Sequence, residues 1–168
     1  GIAKLLKPTG LAVIEAPYLK PLIQHVEFDT IYHEHLCYFS VTALDHLFRR
    51  HGLFLNHIEH LSIHGGSLRL FVERAENPHD SVKTALAEEA EIGMPAAPYF
   101  DDFGERVETL KTDLRAMIYE LKAAGKSIAA YGAAAKGATL LTYCGLSSKE
   151  LDFVADRNVL KQGQLMPG

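Results

Sequence analysis

The sequence predicts an α/β fold, and three stretches carry that prediction. Leu11-Ala-Val-Ile-Glu-Ala16 is a continuous apolar run of strand length. Leu53 to Ile63 and Ser67 to Glu73 are strand-like and joined by His64-Gly65-Gly66, whose glycines suit a tight hairpin. Ser127 to Asp156 reads strand, glycine-bounded turn, helix, strand within about 30 residues. The 168 residues are enough for one domain of common size or two small ones, and 48% hydrophobic with 23% charged content is that of a soluble globular chain.

Taken in order, Ile2 to Leu6 ends a helix that Lys7-Pro-Thr-Gly10 stops. Leu11 to Ala16 fits a strand buried on both faces of a parallel sheet. Pro17 and Pro21 then force an irregular connection into the run Glu27 to Ser40. That run follows a strand's C-terminal end, the edge at which open α/β sheets bind ligands. Ser40 can N-cap a helix with core face Val41, Leu44, Leu47 and Phe48, and Gly52 is its stop. In the hairpin, Leu68, Leu70 and Val72 share one face.

Glu76-Asn-Pro-His79 is a loop and a plausible boundary, dividing the chain into residues 1–78 and 79–168. A helix runs from Asp80 or Ser81 to near Gly93, and Pro95 to Pro98 breaks the chain again. The longest helix spans Tyr99 to Ala124. Its apolar residues Phe100, Phe103, Val107, Leu110, Leu114, Met117 and Leu121 pack against a domain or a second copy, so a homodimer is an expectation.

A net charge of -4 and a pI near 6.1 leave no electrostatic footprint for nucleic acid or an anionic membrane. The apolar runs are too short to span a bilayer, and the N-terminus lacks the features of a signal peptide. A cytoplasmic location is therefore expected, with Cys37 and Cys144 as buried free thiols. The chain starts without Met and ends on Met166-Pro-Gly168, as a piece of a longer protein would.

Chemistry concentrates in Tyr32-His33-Glu34-His35. Histidine titrates near neutrality and an adjacent carboxylate can orient it, which suits acid–base work. Polar loop residues are the plainer alternative. Metal ligation is a third, needing His57, His60 or His64 to converge on His33 and His35.

The turn Gly132-Ala-Ala-Ala-Lys-Gly137 is not G-x-G-x-x-G, and its lysine precedes the final glycine, so it is not a Walker A loop either. Small residues at a helix N-terminus still let backbone N–H groups approach an anion, and Lys136 adds charge. A bare turn with a solvent lysine is the other reading. Asp156 follows Gly132 by 24 positions and can accept ribose hydroxyls, while Arg157 and Lys161 face phosphate or a partner carboxylate. As plainly, Asp156 to Gly163 is a solvated loop. His64, Ser67 and Arg69 line a pocket or point outward from a tight turn, and His57 and His60 face solvent.

Together, Glu27 to Ser40, His64-Gly-Gly-Ser-Leu-Arg69, Tyr131 to Gly137 and Asp156-Arg-Asn-Val-Leu-Lys-Gln-Gly163 through Pro167-Gly168 resemble the carboxy-terminal part of the S-adenosylmethionine-dependent sugar C-methyltransferases. The resemblance implies the last strands of a class I methyltransferase sheet followed by a truncated Rossmann-like carboxy-terminal domain. Leu11 to Ala16 then matches the fifth strand, and Leu53 to Ile63 and Ser67 to Glu73 the last two. It places the S-adenosylmethionine loop and the family's zinc-binding cysteines before residue 1, so this piece is expected to be inactive alone and to hold no metal.

By the same resemblance, His35 is the base that takes a proton beside the keto group of a nucleotide-linked 4-keto-deoxysugar. Glu34 and Tyr32 orient it or contact the sugar, and Tyr32 and His33 are donors to the enolate. Gly132, Lys136, Gly137, Asp156, Arg157 and Ser67 are the substrate-binding candidates for the nucleotide-diphosphate sugar. Two other classes remain open: a non-catalytic nucleotide-binding or dimerisation module, and a dehydrogenase-like domain using a nicotinamide cofactor.

Overall fold

The computed structural model describes residues 1–167, with the side chain of His64 outside the described set. The chain forms two compact units, one of residues 1–27 and 36–102 and the other of residues 28–35 and 103–168. Packing thus divides the chain after Asp102, whereas the sequence suggests a boundary after Pro78; it also groups Phe28 to His35 with the second unit.

The first unit runs α1 (Ile2–Leu5), β1 (Ala12–Pro17), α2 (Leu19–Gln24), α3 (Val41–Arg49), β2 (Phe54–Leu61), β3 (Ser67–Glu73) and α4 (Asp80–Glu91). The strands form one sheet in the order β1-β3-β2, and β3 is antiparallel to both neighbours. The predicted face of β3 is the core: Leu68, Leu70 and Val72 have no solvent exposure. Each such side chain contributes about 1.5–3 kcal/mol of burial. They pack with Leu55, Ile58, Val41, Leu44 and Phe48, and with Val82 and Ala85 of α4.

The strand expected to lie in a parallel sheet and to be buried on both faces is neither. β1 pairs antiparallel with β3, and its residues alternate, with Ala12 and Ile14 against the core and Val13 and Glu15 exposed. Glu15 supplies the reason: it is placed outward opposite Arg69, whose guanidinium pairs with Glu15 and Glu59 across the three strands. At α3 the Ser40 hydroxyl accepts the Ala43 N–H at 3.0 Å, the predicted cap, and Gly52 has φ +65° beyond its end. Leu47, predicted to face the core, is exposed, and Asp45 is buried in its stead, held by Arg49 at 2.8 Å.

The hairpin is wider than a two-residue turn. A 3₁₀ turn at Ile63–Gly65 connects β2 to β3, and Gly65 and Gly66 have φ of +81° and +134°, which side-chain-bearing residues rarely adopt.

The second unit holds a 3₁₀ turn at Phe28–Thr30, then α5 (Phe103–Ala123), β4 (Ala129–Tyr131), α6 (Ala135–Cys144) and β5 (Phe153–Ala155). β4 and β5 pair in parallel, with Ala129 opposite Phe153 and Tyr131 opposite Ala155. α5 and α6 are joined at α6's C-terminal end, where Arg115 donates to the carbonyls of Cys144 and Gly145. A cation there meets the negative end of the helix dipole. Along α5, Val107 and Ile118 are buried whereas Met117 and Leu121 are exposed. Cys144 is a buried free thiol, and Cys37, expected to be buried, is an exposed one. Among the described residues, no helix is long and apolar enough to cross a membrane.

Candidate functional site

The segment Phe28 to His35 is held to the second unit by its aromatic anchor. Phe28 is buried, and its ring lies 4.9 Å from that of Tyr143 on α6. Two short backbone turns follow, with Ile31 N–H donating to Phe28 O and His35 N–H to Tyr32 O. They bring the His35 ring back over the 3₁₀ turn.

There His35 Nδ1 lies 2.8 Å from the Thr30 carbonyl oxygen. A carbonyl can only accept, so Nδ1 carries the hydrogen, and in the neutral ring Nε2 keeps its lone pair. Nε2 is 3.4 Å from the Tyr32 hydroxyl, and the two rings are 4.5 Å apart. A histidine with its distal hydrogen fixed on a buried residue's carbonyl is oriented as a proton acceptor. Thr30, 5% exposed, carries no functional signal in the sequence. It acts through its backbone oxygen, for which no side-chain pattern exists.

His33 and Glu34 are exposed. The His33 ring meets the Tyr32 ring edge-on at 6.1 Å, while Glu34 has no partner among the described residues. The four residues therefore divide: Tyr32 and His35 form a pair, and Glu34 is presented outward.

The second set of candidates gathers at the C-terminal ends of β4 and β5. Gly132 leaves β4 with φ +100°, and α6 begins three residues later. Lys136 and Gly137 therefore lie in the helix's first turn. Its N-cap is Ala134, whose methyl group cannot accept a hydrogen bond, so the N-cap side chain leaves the first-turn N–H groups uncapped. Gly137 is needed for close approach: a Cβ there would lie 3.1 Å from the Gly132 carbonyl oxygen and 3.3 Å from Met166. Lys136 is half-buried and Arg157 exposed, and neither makes an ion pair or hydrogen bond among the described residues.

Asp156 is differently employed. Its carboxylate accepts the backbone N–H of Ala133 at 2.8 Å and that of Asn158 at 2.7 Å. Lys161 donates to Ala133 O at 2.6 Å and lies 3.6 Å from the same carboxylate, the partner-carboxylate role among those the sequence allowed. The acid thus braces the turn that the sequence placed beside it. The backbone N–H groups of Asn158 and Ala133, with Lys161, hold it below the usual aspartate range. Beside this turn, a mainly aliphatic cavity of about 560 Å³ is lined by Leu141, Leu146, Leu151 and Val154.

Ser67, in the first unit, is buried and donates to Ile63 O at 3.2 Å, closing the hairpin connection. Arg69 is held by two glutamates on the sheet face, and the pocket-lining reading of His64 lies outside the described residues. The hairpin packs instead on the preceding segment: a Cβ at Gly65 would overlap the Glu27 carboxylate, and one at Gly66 would crowd Pro21. His57, read as solvent-facing, hydrogen-bonds the Ser81 hydroxyl at 2.9 Å. No three His, Cys, Asp or Glu side chains converge on a metal position among the described residues.

The parallel strand–helix–strand unit, with no side chain capping its helix N-terminus, and the oriented histidine belong to the same compact unit. Residues 62–168 match the family model described as the C-methyltransferase C-terminal domain, and the chain belongs to that family. It is 40% identical over 171 residues to C-methyltransferase NovU of Streptomyces niveus. That match takes in all of this chain and 41% of the relative's length.

Proposed function

We propose that this chain is the carboxy-terminal region of a C-methyltransferase, in which His35 takes a proton from the carbon beside the keto group of a nucleotide-linked sugar. The observation that carries the reading is the Nδ1–H bond from His35 to the Thr30 carbonyl, which leaves Nε2 as the accepting nitrogen of the neutral ring. Three further features support it. Family membership supports methyl transfer to carbon as the reaction class. The sheet order β1-β3-β2, with β3 antiparallel between its neighbours, agrees with reading these as the last strands of a methyltransferase sheet. The parallel β4–α6–β5 unit agrees with a Rossmann-like domain.

S-adenosylmethionine, the donor this class implies, supplies an electrophilic methyl group when bound. The described residues of the first unit do not fit it: β1 runs straight into Tyr18 and α2, with no glycine turn opening a helix to receive it. No residue of this chain is assigned to the donor.

What the chain supplies is proton handling and substrate holding. A positioned base contributes roughly 10²–10⁴-fold, which is too little for a weak carbon acid, so the enolate oxygen needs donors. The Tyr32 hydroxyl, next to Nε2, is one, His33, edge-on to the Tyr32 ring, is a second, and the exposed Glu34 contacts the sugar. On the second strand end, Lys136 and Arg157 pair with the diphosphate, Gly132 and Gly137 let it approach the first-turn N–H groups, and Asp156 keeps the turn in place. Ser67 serves the hairpin. The partner is then a nucleotide-diphosphate sugar.

The test is deuterium exchange at the carbon beside the ketone, followed by NMR in the whole protein without methyl donor. His35→Ala should abolish exchange and leave affinity for the nucleotide sugar nearly intact. Exchange at the wild-type rate in that variant would sink the assignment.

A further inference from the structure

We infer that Glu89 is a positioning residue for the segment that carries Tyr32 and His35, an inference that rests on the catalytic reading above. Glu89 lies on α4, far in sequence from that segment, and its side chain has no solvent exposure. A carboxylate so placed costs free energy unless donors surround it. Four do. The Tyr18 hydroxyl donates at 2.9 Å and the Val41 N–H at 2.7 Å to one oxygen. The Thr42 N–H at 2.8 Å and the Thr42 hydroxyl at 2.6 Å donate to the other.

These donors are the two stems of one loop. Tyr18 follows β1, and Val41 and Thr42 open α3; residues 19–40, with Tyr32 and His35 among them, lie between. The stems also meet directly, through a parallel bridge between Tyr18 and Phe39 and the Leu19 N–H donated to Phe39 O at 2.9 Å. Next to Glu89, Glu88 pairs with Lys20 of α2 at 2.7 Å, a second tie from α4 to the outgoing stem.

The carboxylate is suited to this task in a way an apolar side chain is not. It satisfies the first two N–H groups of α3 while Ser40 takes the third, and its charge meets the positive end of the helix dipole. Burial, reinforced by the carboxylate beside it, raises the Tyr18 phenol above its ordinary value, so Tyr18 remains a donor. One side chain on α4 therefore fixes where the catalytic segment leaves the first unit and where it returns.

The experiment compares Glu89→Gln, Tyr18→Phe and Thr42→Val in the whole protein, with His35→Ala alongside. Glutamine keeps the volume but turns an NH₂ toward backbone N–H donors; the other two variants each remove a single hydroxyl. Amide exchange at Leu19, Val41 and Thr42 should quicken about tenfold or more in Glu89→Gln and less in the milder pair, while Leu70 and Val72 of β3 stay protected. Turnover should fall in the same order, with KM for the nucleotide sugar unchanged. Unchanged exchange at the stems overturns the inference, as does loss of protection throughout β3 in all three variants, or selective exchange with wild-type turnover. His35→Ala keeps the two readings apart: if it retains turnover the base assignment fails, whereas the stem amides report on Glu89 alone.

Discussion

Asp156 accepts the Ala133 N–H at 2.8 Å, joining the end of β5 to the turn that leaves β4. The carboxylate is shared with the Asn158 N–H, and Lys161 reaches both it and the Ala133 carbonyl. Two strand ends and a glycine turn are thereby held together by one carboxylate.

That bracing should depend on pH. Asp156 titrates below its ordinary value, chiefly through the Asn158 N–H and then the Ala133 N–H and Lys161. A depressed folded value means its stabilisation is whole above the unfolded value, about 3.9, and is lost as pH falls through the folded value. The Ala133 amide resonance should hold its position at neutral pH and move on acidification below that range. Asp156→Asn should remove the transition, because an amide takes up no proton in that range. A transition that survives in the variant would assign it elsewhere.

Lys136 and Arg157 should act on substrate affinity. Each is without a partner among the described residues, so replacing either leaves the fold's own ion pairs intact. Lys136→Ala and Arg157→Ala should each weaken nucleoside diphosphate binding about tenfold, less at high salt because exposed charges are screened. Titration calorimetry at two ionic strengths checks both, and salt-independent or unaltered binding would remove the residue from the site.

How much of this was readable in advance follows from where the information lies. The Ser40 cap, the buried Leu68–Leu70–Val72 face and the strand–helix–strand unit are local patterns, and each is found close to where the residues put it. The pairing and exposure of β1 are not legible locally, because its one charge, Glu15, is matched by Arg69 from a strand over 50 residues away. Glu89 gave no signal: on a helix rich in glutamates it reads as solvated, and its donors arrive from residues 18, 41 and 42. Asp156 was found by spacing, but spacing does not say whether a carboxylate turns toward ligand or toward its own backbone. The docking of Phe28 on Tyr143 was equally hidden, since one aromatic in a loop carries no periodicity.

Gly65 should tolerate no side chain. Its φ of +81° costs a non-glycine residue about 1–3 kcal/mol, and a Cβ would also overlap the Glu27 carboxylate. Gly52 has φ +65° but open space around it, so Gly52→Ala isolates the backbone cost. Thermal unfolding should show Gly65→Ala below Gly52→Ala, each kcal/mol being worth about 2–4 °C. Equal losses would mean that Glu27 moves aside freely.

Tyr32→Phe isolates the hydroxyl that faces His35. The ring stays, so the 4.5 Å contact with the imidazole and the Nδ1–H bond to Thr30 should both persist. What is lost is a donor beside Nε2. Were that hydroxyl only an anchor for the histidine, its removal would slow proton abstraction slightly and alter little else. As a donor to the enolate it acts in the transition state, where one such group is worth about 10²-fold or more. In the whole protein, kcat should therefore fall about a hundredfold while KM and nucleoside diphosphate affinity stay level. A change confined to KM would make Tyr32 a sugar contact. A kcat within a few-fold of wild type would remove it from the chemistry and leave His35 to act with donors from elsewhere.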